Sequence, residues 1–562
     1  MNAKNTGRKK NASGKRKPVG KTKLKLIIVL GALVVVLIAG VLLYLGFQTP
    51  ADEAAEPATN LKIASRTDVI AYFDARGVTD YLENKLNFTI EWVDYGVENV
   101  YDRLLEDIGK APTDLPDAYL GLGLSEIDFR TIAPDVFQNL NNLQATGTTF
   151  LKQAINEDTS RLTEMQTDGQ LYSFPSLYES YAEEYPQKIW INAQWMLQLG
   201  LPIPSTTEEF YNVLRLFKET DMNGNGADDE IPLGVAYSGV SHAGFGFLVN
   251  AFVTSDYDLS ESQGYLNVSD GGEVYTAVTT PQFKDALKYI QRLFAEGLVD
   301  ANAFTLGAET FLNGSTNSER FGVIAAQDLN AVFNNTERAA AYIPLAPLDG
   351  GNRATLVRRT SVKTGGYMVS LNTARLKEAV RLGDAMMDME GTLTILYGAE
   401  GAGWEYADSR VAAMGGTETM WRALGAPELA MPATIPFWMS AAVVLSQEAG
   451  ADENGEVSLQ TAANWQGYLN YVTREVYEPV GRPVIKNVLP ELTLTSSQQQ
   501  ELDASGNVRA QIYSYLTETC RRLVTTDADI DAEFPGFVQT LQNTGLTKLL
   551  TLLQDALERQ TR

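Results

Sequence analysis

A run of 22 residues without a charged side chain, residues 26–47, divides this chain into two unequal parts. At 1.5 Å per residue a helix of that length extends about 33 Å, enough to cross the hydrocarbon core of a bilayer. Residues 1–25 contain ten Lys or Arg and no acidic residue. The positive-inside rule places this basic tail in the cytoplasm and everything after residue 47 outside. The pattern predicts a single-pass transmembrane signal anchor in the cell membrane.

Two other kinds of amino terminus fit less well. A cleaved signal peptide has a shorter apolar region of about 7–15 residues, and the small residues near 51–55 form a poor cleavage site. A lipoprotein needs a cysteine directly after the apolar run, whereas the only cysteine is Cys520. Residues 48–60 are small, acidic and proline-containing, which is typical of an extended linker.

The charge beyond the basic tail argues against some functions. Without those ten residues the chain has 35 basic and 70 acidic side chains. Such a surface repels polyanions, so we expect no nucleic-acid partner. One cysteine excludes an internal disulfide framework. The only histidine is His242, and neither a GxSxG nor an HExxH motif is present, so the chain is not expected to be an enzyme.

Residues 61–562 alternate between strand-like and helical patterns without a second linker. Strands are predicted at 61–65 and 88–93, with a helix at 67–86 between them. Further helices are predicted at 280–297, 374–397 and 536–562 from their apolar periodicity. Strands that alternate with helices indicate an α/β domain with a largely parallel sheet.

The most specific motif is the segment DMNGNGADDE at 221–230. Calcium binds six to eight oxygen atoms, and alternate residues of a tight loop direct their oxygens inward. In an EF-hand loop, Gly226 would stand at the sharp turn. The predicted ligands of a structural Ca²⁺ are Asp221, Asn223, Asn225, Ala227 through its carbonyl, Asp229 and Glu230.

This loop departs from an EF-hand at position 12, where Pro232 replaces the usual glutamate. Glu230 is the natural substitute. The preceding helix is predicted to begin with the capping box Ser205-x-x-Glu208. An Asn-Gly turn without an ion is the alternative interpretation.

The segments around this loop resemble the family 1 extracellular solute-binding proteins of ABC transporters. The similarity is greatest to the branch with LplA-like and alginate-oligosaccharide-binding proteins. It is carried by WINAQWMLQLGLPIPSTTEEF (190–210), DMNGNGADDEIPLG (221–234), DGQLYSFP (168–175) and TPQFKDALKYIQRLFAEGLVDANAFT (280–305). This resemblance implies a two-lobed type II periplasmic-binding-protein fold over 61–562, with interleaved α/β lobes and a ligand between them. It also implies that the six loop residues match calcium ligands of alginate-binding relatives.

A sugar would bind by stacking on aromatic rings while polar groups hold its hydroxyls. Candidate rings in polar, loop-like contexts are Tyr178, Tyr181, Trp404, Trp421 and Trp438. We therefore expect a receptor that captures an oligosaccharide for ABC permease subunits. A surface sugar sensor or scaffold acting with a partner, and a glycan-degrading enzyme with paired carboxylates, are the alternatives.

Overall fold

The computed structural model describes residues 59–561, apart from gaps at 109, 112–113, 144–147, 158–164, 168, 236–243, 256–264, 270, 305–318, 352–354, 359–361, 409, 416–417, 426–429, 452–456, 459, 462–463, 478–483, 488, 490–491, 493 and 504–506. The predicted tail and anchor, most of the linker, and His242 lie outside the described residues. Within the described part, no helix combines the length and the apolar character needed to span a membrane.

The strands are short and, in chain order, are β1 (Thr59–Ser65), β2 (Phe88–Asp94), β3 (Ala118–Leu120), β4 (Gln166–Thr167), β5 (Gln170–Leu171), β6 (Phe174–Tyr178), β7 (Ile189–Asn192), β8 (Ile231–Gly234), β9 (Asn267–Val268), β10 (Val274–Tyr275), β11 (Phe321–Ala325), β12 (Tyr342–Pro344), β13 (Thr355–Arg358), β14 (Val362–Val369), β15 (Trp404–Tyr406), β16 (Trp421–Ala423), β17 (Phe437–Met439) and β18 (Val484–Asn487).

The α-helices are α1 (Thr67–Ala75), α2 (Val78–Leu86), α3 (Val100–Asp107), α4 (Glu126–Val136), α5 (Phe150–Glu157), α6 (Tyr181–Glu184), α7 (Ala193–Leu199), α8 (Thr207–Glu219), α9 (Gly244–Asn250), α10 (Pro281–Ala295), α11 (Leu329–Phe333), α12 (Thr336–Ala339), α13 (Leu376–Met386), α14 (Met389–Tyr397), α15 (Ala441–Leu445), α16 (Trp465–Tyr477), α17 (Ser496–Asp503), α18 (Val508–Thr525), α19 (Ile530–Asn543) and α20 (Leu546–Thr561). Short 3₁₀ turns lie at Leu140–Leu143 and Ala277–Thr279.

The first lobe is built on a six-stranded sheet in the order β17-β6-β14-β3-β1-β2. Strand β1 pairs in parallel with both β2 and β3, and β14 runs antiparallel between β3 and β6. Helices α1 and α2 pack their apolar residues on one face of the sheet, with Leu61 and Ile63. Helices α3 and α4 cover the other face around Tyr119.

The second lobe contains a four-stranded sheet in the order β12-β7-β11-β8. Strand β11 runs parallel to β8 and antiparallel to β7. Helices α8 and α10 pack on one face, and α18, α19 and α20 extend the same core. Helix α16 contributes to the core on the other face, where Trp190 lies fully buried.

Three segments pass between the lobes. The first is 179–188, from β6 to β7; the second is 345–361, from β12 to β14, and includes β13. The third follows β17 and leads through α15 to α16, which packs against α6 and β12. This interleaving agrees with the two lobes that the resemblance implied.

The described elements match the strand predictions, while three predicted helices are each divided in two. Gly77, with φ of +69°, separates α1 from α2 inside the predicted 67–86 helix. Asp388 caps α14 and so divides the predicted 374–397 helix. Gly545, with φ of +109°, lies between α19 and α20. Glycine accepts this left-handed backbone at little cost, whereas other residues do not.

The predicted capping box at Ser205 and Glu208 was wrong by one residue. In the structure Thr206 is the N-cap of α8, and its hydroxyl accepts the N–H of Glu209. The Glu209 carboxylate accepts the N–H of Thr206 in return and also that of Ser205. Ser205-x-x-Glu208 and Thr206-x-x-Glu209 both match the capping-box motif, and the structure contains the second.

Candidate functional site

The strand order of the first lobe predicts a ligand-binding crevice at one edge of its sheet. Strand β1 lies between β2 and β3; the helices between β1 and β2 pack on one face of the sheet, and the helix between β2 and β3 packs on the other. In open α/β sheets, ligands bind at such a switch point, outside the carboxyl ends of the strands. Here that edge is formed by Arg66, directly after β1, and by residues 121–123, directly after β3. No sequence motif indicated these residues, although their position after two strands could have done so.

The second lobe has a corresponding edge at the carboxyl ends of its parallel pair, β8 and β11. Residues 236–243, after β8, lie outside the described residues. After β11, the Asp328 carboxylate caps α11 and accepts hydrogen bonds from Trp465 Nε1 at 2.6 Å and Gln466 Nε2 at 3.1 Å. This carboxylate therefore links the edge of the sheet to α16, the helix that follows the third connection.

Buried polar contacts connect the first interlobe segment to the third. The Glu179 carboxylate accepts Trp438 Nε1 at 2.6 Å and the Ala441 N–H at 2.9 Å. Ser180 donates its hydroxyl to the Asn470 side chain at 3.0 Å. Because buried polar groups are costly without partners, these contacts favour one specific arrangement of the connections.

An ion pair joins the first and second interlobe segments. Arg358 Nε lies 2.8 Å from the Glu184 carboxylate, which is almost completely buried. Arg358 precedes a second arginine, Arg359, which lies outside the described residues. The contact with Glu184 gives Arg358 a structural partner.

Lys188 ends the first interlobe segment and is completely buried. Its ammonium donates to the Ala182 carbonyl at 2.5 Å. Burial lowers the pKa of Lys188 to about 7, against the opposing influence of Asp328 and Glu183. A lysine that titrates near neutral pH is unusual, because burial disfavours the charged form. No local sequence signal indicated this environment.

Two of the five predicted sugar-stacking rings lie in the core of the first lobe. Trp404 and Trp421 are 1% and 0% exposed. Trp404 packs edge-on against Tyr406, and Trp421 donates its indole N–H to the Val443 carbonyl at 2.8 Å. A ring enclosed on all sides offers no face to a sugar, so these two positions fit packing better than ligand binding.

The other three rings lie beside the interlobe connections. Tyr178 ends β6 and Tyr181 begins α6, and both are half-buried. Trp438 is 6% exposed, and its indole N–H is bound by Glu179. Strand β17, which contains Trp438, pairs in parallel with β6. The structure therefore brings Trp438 and Tyr178 to the same end of two neighbouring strands, where the chain leaves the first lobe.

The predicted calcium loop is fully described and is stabilised by its own polar side chains. Asp221 accepts the N–H groups of Gly224 and Asn225 through one oxygen and that of Gly226 through the other, at 2.8–3.1 Å. At its end, Glu230 accepts the N–H of Met222 at 2.8 Å. The loop is thereby closed from both ends.

Three predicted ligands meet at the Asp229 carboxylate. Its Oδ1 accepts the side-chain amides of Asn223 at 3.0 Å and Asn225 at 3.1 Å. The hydrogen bond from Asn223 is the main reason that the pKa of Asp229 lies below its usual range, with help from Asn225 and Arg320. The carboxylate is therefore ionised at neutral pH. Ala227, at the predicted carbonyl position, donates its N–H to Asn225 Oδ1 at 2.7 Å.

In the part of the chain that the structure describes, no group of three or more His, Cys, Asp or Glu side chains is arranged to hold a metal ion. The donor set of the loop instead combines carboxylates with amide oxygens. Oxygen donors of both kinds suit a hard cation such as Ca²⁺.

Comparisons with known proteins add sequence relatives and a shared fold. No family model matches the chain. The fructooligosaccharide ABC transporter substrate-binding protein FusA of Streptococcus pneumoniae is 31% identical over 287 residues, 50% of this chain and 51% of FusA. Lipoprotein LipO of Bacillus subtilis is 26% identical over 234 residues, 39% of this chain and 44% of LipO. The chain thus matches only about half the length of these curated relatives.

The fold extends over nearly the whole chain. An HMO-binding ABC-transporter-associated solute-binding protein from Bifidobacterium longum infantis has a TM-score of 0.60 at 18% identity, covering 90% of this chain and 99% of that structure. FusA is named as a substrate-binding protein, in agreement with the expectation that the chain is not an enzyme. The comparisons agree with the resemblance found in the sequence: over about half its length the chain is similar to an ABC transporter substrate-binding protein, and it shares the two-lobed α/β fold of a solved solute-binding protein.

Proposed function

We propose that this chain captures an oligosaccharide outside the cytoplasm and delivers it to the permease subunits of an ABC importer. The observation that carries the proposal is the strand order that places a switch point at the carboxyl ends of β1 and β3, in a lobe joined to a second lobe by three connections. The sequence similarity to FusA supports a carbohydrate as the ligand.

The proposed ligand site contains aromatic rings that lie beside the connections between the lobes. Trp438, Tyr178 and Tyr181 supply the rings next to the connections, where a sugar can stack its C–H face. Trp404 and Trp421 are left out because they are enclosed in the core. Binding between lobes that move about such connections is a common way to enclose a ligand.

We propose a structural Ca²⁺ in the loop at 221–230, held by Asp221, Asn223, Asn225, Ala227, Asp229 and Glu230. The convergence of two amide side chains on the Asp229 carboxylate supports this proposal. Amide oxygen and nitrogen exchange places when the group rotates by 180°, so both amides can present oxygen to a cation at this point. The ion would stabilise the loop, since such a set of protein donors leaves little room for a reacting group.

Membrane attachment through residues 26–47 is part of the same proposal. The chain would cross the cell membrane once, with residues 1–25 in the cytoplasm and residues 61–562 outside. Retention of a fluorescent fusion in the membrane fraction, and its release when residues 1–48 are deleted, would support this arrangement. Secretion of the full-length chain into the medium would contradict it.

The test uses residues 49–562, because residues from Thr59 onward form one compact unit by their contacts. Isothermal titration with neutral and acidic oligosaccharides, fructo-oligosaccharides among them, measures binding, and mass spectrometry of the same samples detects cleavage. Saturable binding with intact sugar supports a receptor, and turnover would favour the glycan-degrading enzyme. Loss of sugar uptake when the gene is deleted separates an importer subunit from a sensor or scaffold.

A further inference from the structure

Arg66 is the first residue after β1, at the edge of the crevice in the first lobe. Its Nε donates to Asp68 Oδ1 at 3.0 Å, and its Nη2 donates to Asp68 Oδ2 at 2.5 Å. The two side chains remain 20% and 35% exposed. A two-point contact of this kind fixes the plane of the guanidinium and leaves one edge of it toward solvent.

The third guanidinium nitrogen of Arg66, Nη1, lies against Gly123, the third residue after β3. A Cβ atom at position 123 would overlap Nη1, so only glycine leaves this space. Gly123 also has φ of +67°, which glycine adopts readily. The position of the guanidinium therefore depends on the absence of a side chain at 123.

Part of the hydrogen-bonding capacity of Arg66 is left over. A guanidinium has five N–H donors, and Asp68 takes two of them. Among the described residues, Asp68 is the only hydrogen-bond acceptor of Arg66. The N–H groups of Nη1 are thus held at the edge of the crevice without an acceptor from the described part of the protein.

The charge of this pair indicates what it would bind. Asp68 compensates the positive charge of Arg66, so the pair is neutral as a whole. It offers N–H donors and carboxylate lone pairs side by side, which matches neighbouring sugar hydroxyls because each hydroxyl both donates and accepts. An acidic sugar would meet no net positive charge here, and the chain beyond residue 25 has twice as many acidic as basic side chains.

We propose that Arg66 and Asp68 bind neighbouring hydroxyl groups of an uncharged sugar unit, and that Gly123 keeps the Arg66 guanidinium in the position that this requires. The inference rests on the proposed capture of an oligosaccharide, and it adds the ligand's chemical class and two binding residues.

The test measures the affinity of residues 49–562 for fructo-oligosaccharides, and for an alginate oligosaccharide as the acidic probe. Arg66→Met and Arg66→Lys should each weaken binding of the neutral sugar by about 10- to 100-fold, the usual effect of losing hydrogen bonds from a charged donor. Gly123→Ala should weaken it similarly by displacing the guanidinium. The acidic probe should bind the unsubstituted domain more weakly than the neutral one.

Gly200→Ala is the matched control, since Gly200 has φ of +65° and no heavy atom within 4 Å of an added Cβ. Both alanines strain the backbone alike, so both should lower the melting temperature, but Gly200→Ala should keep the affinity. Unchanged affinity in Arg66→Met and Gly123→Ala, or preference for the acidic probe, would overturn the inference while leaving sugar capture intact. Failure of the unsubstituted domain to bind any sugar would overturn the proposed function and this inference with it.

Discussion

Replacing Lys188 by methionine should change how the stability of the protein depends on pH. The ammonium is completely buried at the end of the first interlobe segment, where the Ala182 carbonyl accepts its hydrogen bond at 2.5 Å. Burial lowers the pKa of Lys188 to about 7 in the folded protein, while Asp328 and Glu183 act in the opposite direction. In the unfolded chain the lysine returns to its ordinary pKa of 10.5.

The sign of the effect follows from proton binding. Between pH 7 and 10.5 the unfolded chain holds a proton on Lys188 that the folded protein has lost. Stability therefore rises with pH across this interval, by up to about 1.4 kcal/mol per pH unit. Over the whole interval the contribution is about 5 kcal/mol, and most of it is present above pH 10. Below pH 7 Lys188 is protonated in both the folded and the unfolded state, so the full free-energy cost of a buried ammonium lowers the stability of the folded protein.

The assay is urea unfolding of residues 49–562 from pH 7.5 to 9.5, a range below the ordinary titration of tyrosine. The free energy of unfolding of the unsubstituted protein should rise by about 2–3 kcal/mol relative to that of Lys188→Met. Below pH 7, Lys188→Met should be the more stable protein, because it lacks the buried ammonium. Lys377→Met, at an exposed lysine of α13, is the matched control and should leave the pH dependence unchanged. Parallel stability curves for Lys188→Met and the unsubstituted protein would refute this account of the buried lysine.

Two further predictions concern the calcium loop and the tryptophans. After EDTA treatment, adding Ca²⁺ should raise the melting temperature less in Asp221→Asn and in Asn225→Ala than in the unsubstituted protein. Asp228→Asn is the control, because Asp228 is an exposed loop residue outside the predicted ligand set, and it should keep the full rise. An equal effect of all three substitutions would contradict the ligand assignment. Trp421→Ala should cost about 3–5 kcal/mol of stability in urea unfolding without weakening sugar binding, because the ring is fully buried. Trp438→Ala should weaken sugar binding by about 3- to 10-fold in calorimetry, the contribution expected of one stacked ring, and unchanged affinity would remove Trp438 from the site.

The sequence predicted strands and helices well where apolar periodicity was strong, and less well where a helix is interrupted. The helix predicted at 67–86 contains Gly77, and periodicity alone does not show that its backbone turns there to φ of +69°. Two overlapping capping-box patterns, at Ser205 and Thr206, are equally good matches by type, so only the structure distinguishes them.

For the candidate site, prediction from the sequence is limited further because burial cannot be read from neighbouring residues. Trp404 and Trp421 stand in glycine-rich or polar local sequence, yet residues far along the chain bury them. The burial of Lys188 likewise depends on contacts with segments more than 100 residues away, such as the Asp328 region. The loop at 221–230 could be proposed as a calcium site from the sequence because all its side chains lie within ten residues, and the ion stays a prediction. Burial and clefts depend on distant segments, which a single sequence does not bring together.

The position of the loop separates the effects of calcium from those of the sugar. Strand β8 begins directly after Glu230, and β11 begins directly after Arg320, whose Nε donates to the Asp229 carbonyl at 2.7 Å. The loop therefore lies at the amino ends of two parallel strands, while ligands of such sheets bind beyond the carboxyl ends. Five residues of β11 at about 3.3 Å each place roughly 15 Å between the two ends.

An ion in the loop thus lies about one strand length from the carboxyl-end edge of the second lobe, and we expect it to influence a ligand at that edge through the sheet itself. Sites this far apart without shared partners usually contribute independently to stability. The stabilisation by calcium and by a bound oligosaccharide should therefore add when both are present, as measured by the melting temperature with each alone and with both. A combined shift well above the sum would mean that β8 and β11 transmit the ordering of the loop to the crevice. A sugar affinity that stays the same in EDTA would instead restrict calcium to stabilising the second lobe.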